Sequence, residues 1–194
     1  LAGRGLLPNL VVDPVLVSST GHPLMDEGGV AAYRDLLLPR ATVVTPNLRE
    51  TARLLETDVA RLADTEAMGR AATALRALGP RYVVVKGGHL DKLGGRGAPD
   101  VVAGPDGITV LEADRVATGN DHGTGCSLSA AVAANLALGA EPLDALEAAK
   151  AFVHRALQGG AAWRLGAGHG PIDHLGWSGD GAGAPAPARA GARP

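Results

Sequence analysis

Three short aliphatic runs, each cut off by a polar stop, limit what this chain can fold into more than any other feature. Leu10-Val11-Val12 ends at Asp13-Pro14, Ala41-Thr42-Val43-Val44 at Thr45-Pro46, and Tyr82-Val83-Val84-Val85 at Lys86-Gly87-Gly88. The runs are continuous rather than alternating, which predicts strands covered on both faces, as in a parallel sheet flanked by helices. Helical patterns rich in Ala, Leu, Glu and Arg fill the gaps, over residues 26–38, 47–56 and 65–78, and Gly79-Pro80 closes the last. Strand and helix alternate, so the expected class is α/β: an open three-layer sheet, mostly parallel, with ligands gathered outside the carboxyl ends of the strands. Asp13, Asn47 with Glu50, and Lys86 all stand just beyond such ends.

The second half changes character. Val101-Val102 and residues 108–111 flank Gly104-Pro105-Asp106-Gly107, a hairpin suited to a sheet edge. Two helices follow, one over 123–138 and one starting near Pro142 with Leu143, Leu146, Val153 and Leu157 on one face. Residues 178–194 hold almost only Gly, Ala, Pro and Arg and offer little to bury, so one domain over 1–177 and a disordered tail are expected. The chain of 194 residues is 46% hydrophobic, enough for a single core. Its 18 basic and 20 acidic side chains leave a net charge of −2 with no basic block, which argues against nucleic acid and anionic membranes as partners. No apolar stretch approaches the ~18 residues of a membrane span, and a cytoplasmic protein is expected. Its single cysteine excludes an internal disulfide framework.

The most informative local motif is Thr118-Gly119-Asn120-Asp121-His122-Gly123-Thr124-Gly125-Cys126, which passes from strand to helix. Glycines at 123 and 125 let successive N–H groups converge where the helix dipole favours negative charge, so an anion is expected there. Cys126 falls in the first helical turn, where the dipole lowers a thiol's pKa; the alternative is a small buried apolar residue beside glycines that serve close packing. Asn47 and Glu50 form either a capping pair or, through Glu50, a water-mediated Mg²⁺ site. Lys86 is one of only three lysines and directly follows a buried strand. Asp13 either supports metal or phosphates or simply terminates its strand. His154 reads as structural and His169 as a turn residue, and the six histidines show no zinc spacing. Neither a Gly-x-Ser-x-Gly elbow nor a Walker-type phosphate loop is present.

In their order, Val11-Val12-Asp13-Pro14-Val15, Leu38-Pro39, Thr45-Pro46-Asn47-Leu48 with Glu50, Val84-Val85-Lys86-Gly87-Gly88-His89, Asn120 with His122-Gly123-Thr124-Gly125-Cys126, and Gly168-His169-Gly170-Pro171 resemble the ribokinase-like superfamily. Within it they resemble the bacterial hydroxymethylpyrimidine/phosphomethylpyrimidine kinases of thiamine biosynthesis. The cysteine at 126 carries the discrimination, since most sugar kinases and typical pyridoxal kinases end this motif in aspartate, while a minority of pyridoxine kinases share the cysteine. Asp121 departs from the family's usual threonine.

The resemblance implies ATP-dependent phosphorylation of a pyrimidine alcohol and then of its monophosphate, on a homodimer. It implies an anion hole of Gly123, Thr124, Gly125 and Cys126 N–H groups, with Cys126 as base. Lys86, Asp13, Asn47, Gly88 and Thr118 would bind the nucleotide, and Glu50 with Asp13 would organise Mg²⁺. Two other readings stand beside it: a pyridoxine-type vitamin kinase, and a non-catalytic nucleotide-binding remnant. The start at Leu1, a few residues before a strand, adds the expectation that the family's first strand–helix units are missing from this chain and that it is poorly folded or inactive alone.

Overall fold

The computed structural model describes residues 8–18, 22–88 and 97–178; His89 and residues 179–194 of the expected tail lie outside them. The first two aliphatic runs form β1 (Val11–Val12) and β2 (Val43–Val44), and the third forms β3 (Tyr82–Lys86). These three strands pair in parallel, with Val12 beside Val44 and Val44 beside Val83. The hairpin strands β4 (Asp100–Gly104) and β5 (Gly107–Leu111) extend the sheet in antiparallel fashion, giving the order β1-β2-β3-β4-β5. Gly107, at φ 121°, makes the left-handed turn the hairpin requires.

Period-two alternation sorts the strand side chains onto two faces. Val12, Val44, Val83 and Val85 pack with Leu54, Met68 and Leu75 of the helices α1 (Glu27–Ala32), α2 (Leu48–Leu54) and α3 (Thr65–Arg76) and their flanks. Val43, Tyr82 and Val84 point the other way, onto Leu128, Val132 and Leu146 of α4 (Thr124–Ala137) and α5 (Pro142–Gly160). The result is three layers. Both faces are buried, which is why the runs read as continuous: Val83, Val84 and Val85 are at most 1% exposed, each contributing roughly 1.5–3 kcal/mol by leaving water.

Helix ends follow local chemistry. Asp26, Asn47 and Asp64 each accept a backbone N–H as N-caps of α1, α2 and α3, and Pro142 opens α5. Gly79, at φ 119°, sits where a Cβ would lie 2.7 Å from the Pro39 backbone, so α3 must end on glycine. One expected element differs: the helix predicted over 26–38 is α-helical only to Ala32, then widens into a π-turn over Tyr33–Leu37 and tightens into a 3₁₀ turn over Leu38–Arg40. Pro39 cannot donate to a helix, so α-geometry stops before it, and the altered turns seat Leu38 fully in the core. Among the described residues, no helix is long and apolar enough to cross a membrane.

Candidate active site

The carboxyl ends of β1, β2 and β3 deliver Asp13, Thr45 to Asn47, and Lys86 to one place, opposite the N-terminus of α4. The Lys86 ammonium lies 3.1 Å from Asp13 Oδ1, with both side chains largely shielded from water. It also lies over Gly125, where a Cβ would come within 3.1 Å of Nζ, so the glycine is what admits the ammonium to the first turn of α4. Gly123, at φ 89°, starts that helix from the left-handed region. The N–H groups of Gly125 and Cys126 belong to the first turn, where no intrahelical acceptor exists. The N–H of Thr124 is partly engaged, donating to Asp121 O at 3.3 Å.

A buried chain of hydroxyls supports this arrangement from below. Thr45 Oγ1 lies 3.4 Å from Asp13 Oδ1 and 2.7 Å from Ser129 Oγ, and Ser129 Oγ donates to Gly125 O at 3.1 Å. The first turn of α4 is thereby tied to the ends of two strands. A second tie comes from Asn120, whose Nδ2 donates to Gly160 O and Trp163 O at 2.7 and 2.8 Å. The Asn120 carboxamide fills the space a Cβ at Gly170 would need, 2.1 Å away, and His122 N donates to Gly170 O. Gly168-His169-Gly170-Pro171 therefore clamps the loop that leads into α4, and His169 adds a contact to Asp121 at 3.1 Å between exposed groups.

Asn47 and Glu50 satisfy both readings of their spacing. Asn47 N donates to Glu50 Oε2 at 2.7 Å and Glu50 N to Asn47 Oδ1 at 3.0 Å, a complete capping box. Glu50 is also only 3% exposed and faces the Lys86–Asp13 pair. Burial pushes its carboxyl above the usual range, while the Asn47 N–H and the Lys86 charge hold it partly down and Asp13 opposes them.

Cys126 departs from expectation in two respects. It is exposed, so the reading as a small buried residue fails. Its thiol is shifted up, not down: desolvation, then the charge of Asp13 and a hydrogen bond to it, outweigh Lys86 and a backbone hydrogen bond at Cys126. The sequence argument counted the dipole and omitted the carboxylate that the fold places beside it.

Next to this cluster lies a cleft of about 260 Å³. Asn47, Lys86, Gly88, Thr118, Thr124 and Gly125 are among the residues that line it, so four of the five residues expected to bind nucleotide are brought together. Asp13, Glu50 and Cys126 are not part of its lining but interact with Lys86, which is. The Thr118 hydroxyl accepts from Asn120 N and bonds Ala161 O, shaping the loop. The lining also holds residues that the sequence patterns do not assign to the site: Asp100, Lys150 and His154, with Val153 and Leu157. Lys150 had a legible signal, since it interrupts the apolar face on which Leu146, Val153 and Leu157 lie. Among the described residues, no three His, Cys, Asp or Glu side chains form a metal cluster.

Comparison with known proteins shows what the chain as a whole is similar to. Residues 4–173 match the family model described as phosphomethylpyrimidine kinase. A hydroxymethylpyrimidine/phosphomethylpyrimidine kinase of Rhizobium meliloti is 46% identical over 165 residues, covering 85% of this chain and 60% of the relative. The ADP complex of Bacillus subtilis pyridoxal kinase superposes with a TM-score of 0.77 at 38% identity, over 89% of this chain and 61% of that one. A phosphomethylpyrimidine kinase from Clostridium difficile superposes with a TM-score of 0.62 at 30% identity, over 77% and 57%. The chain thus spans about 60% of the length of the Rhizobium enzyme it matches.

Proposed function

The chain belongs to the phosphomethylpyrimidine kinase family, and we propose that it transfers the γ-phosphoryl group of ATP to 4-amino-5-hydroxymethyl-2-methylpyrimidine and then to the monophosphate. The observation that carries this reading is the position of Lys86. Its side chain lines the cleft, while its ammonium pairs with Asp13 and lies directly over the first turn of α4. A nucleotide in the cleft brings its terminal phosphate against Lys86 and the Gly123 to Cys126 backbone, with the acceptor hydroxyl entering from the Cys126 side. Phosphoryl transfer asks for in-line placement and for charge stabilisation on the moving group, and little else from the protein.

In this reading the Cys126 thiol relays the proton. At neutral pH Cys126 is protonated and donates to Asp13, so its sulfur accepts the hydroxyl proton as the thiol proton passes to the carboxylate. The hydroxyl O–H bond breaks as the O–P bond forms, and ADP departs. The residues present fit Mg²⁺ as a hydrated ion carried by the nucleotide: Glu50 is occupied in its capping box and Asp13 in its ion pair, so both would hold the ion's water shell. Bound there, the ion would supply charge neutralisation between the phosphates. A cytoplasmic homodimer belongs to the same reading.

A second reading has specific support, because the pyridoxal kinase superposes with the higher TM-score, 0.77 against 0.62. Coupled ADP-release assays with the pyrimidine alcohol, its monophosphate and pyridoxal separate the two. Faster turnover of both pyrimidines is expected. Preference for pyridoxal would replace the first reading with the second, and ATP binding with no acceptor phosphorylated would reduce the chain to a nucleotide-binding protein.

A further inference from the structure

The cleft wall contains a buried ion pair that the proposed reaction does not use. Lys150, on the apolar face of α5, places Nζ 2.8 Å from Asp100 Oδ2 and 2.5 Å from Ala98 O. Both side chains are only about a tenth exposed, at 11% and 10%. The other oxygen of Asp100, Oδ1, accepts the Gly87 N–H at 3.0 Å. Asp100 also stands opposite Lys86 in the β3–β4 register. One carboxylate thus joins a helix to the first residue of the turn that follows the Lys86 strand.

Stability alone is a poor reason for such a pair. Taking two charges out of water costs about as much as their attraction returns, and an apolar pair of similar volume would serve a core as well. What an ion pair adds is direction, and here the direction ends on a backbone N–H next to Lys86. We infer that Lys150 is a positioning residue. With Asp100 it fixes the Gly87-Gly88 turn and, through it, the Lys86 ammonium at the phosphate end of the cleft. The inference rests on reading that cleft as a nucleotide site.

The test compares ATP and adenosine binding, by calorimetry and ligand-observed NMR, in the wild-type chain, Lys150→Met and the Lys150→Met/Asp100→Asn double variant, each well below its melting temperature. The double variant leaves no unpaired buried charge and keeps an acceptor for Gly87 N–H, so it decides the matter if the single variant fails to fold. A displaced phosphate-binding group predicts ATP affinity lowered by about tenfold, with adenosine affinity within about twofold of the parent. Equal losses for ATP and adenosine would mean that Lys150 acts on the base, the sugar or the fold as a whole, and would overturn the inference. Unchanged ATP binding in a folded variant overturns it too, while the nucleotide reading stands. A wild-type chain that fails to bind ATP removes both.

Discussion

Gly125 offers a perturbation whose effects on stability and on function have opposite signs. Its backbone is ordinary helix, since only Gly123 in this turn has a positive φ, so Gly125→Ala introduces no backbone strain and gains helix propensity, up to about 1 kcal/mol. For a chain of this size that corresponds to a rise in melting temperature of roughly 2–4 °C. The new methyl would lie 3.1 Å from Lys86 Nζ, whereas comfortable contact begins near 3.5–4.0 Å, so the ammonium must retreat by about half an ångström. A charge-assisted hydrogen bond to phosphate contributes about 1.5–3 kcal/mol. Losing a third to a half of it lowers ATP affinity by about 1 kcal/mol, or roughly fivefold. Turnover should fall further, by about tenfold, because displacements of 1 Å in a reacting constellation cost about a hundredfold. Differential scanning calorimetry, ATP titration and ADP-release kinetics on the same preparation check all three. A variant that melts higher yet binds and turns over ATP like the parent would refute the claim that glycine is needed to admit Lys86.

Cys126→Ala should cut turnover by about 10²–10⁴-fold while ATP affinity stays within about twofold, since the cleft lining does not include the thiol; near-normal turnover would remove its proton-accepting role. Glu50→Gln should lower turnover yet raise the melting temperature by a few degrees at neutral pH. Because the folded-state pKa of Glu50 lies above its unfolded value, the native state binds the extra proton, and wild-type stability falls as pH rises through that window. The advantage of the glutamine variant should accordingly vanish in acid, below the unfolded value, and a melting difference that persists there would contradict the assignment.

The strands and the layer arrangement were legible because burial on both faces writes itself as uninterrupted valine, and because Asp, Thr-Pro and Lys-Gly-Gly mark where each run must stop. The convergence of Asp13, Asn47, Glu50 and Lys86 followed from strand order alone. Other features depend on distances that no local pattern encodes. The π-turn after α1 was hidden because Val30, Tyr33, Leu37 and Leu38 keep an apolar spacing compatible with an ordinary helix. The thiol's direction was missed because Asp13 and Cys126 are far apart in sequence and meet only through β1 and α4. Asp100 and Lys150 make a pair 50 residues apart; a lysine within an aliphatic stripe was its one visible sign.

Helix α5 touches the site at two points. Lys150 reaches the turn after β3 through Asp100, and Gly160 O receives Asn120, which holds the loop that leads into α4. Glycine is obligatory at that second point, where a Cβ would meet Asp173 N and Pro171 O at 3.0 Å. The helix therefore works as a caliper. The separation of these two contacts is set by helical rise, about 15 Å between Lys150 and Gly160, and not by the length or sequence of any loop. Drift in the connecting segments of this molecule can accumulate without changing the distance between those two contacts.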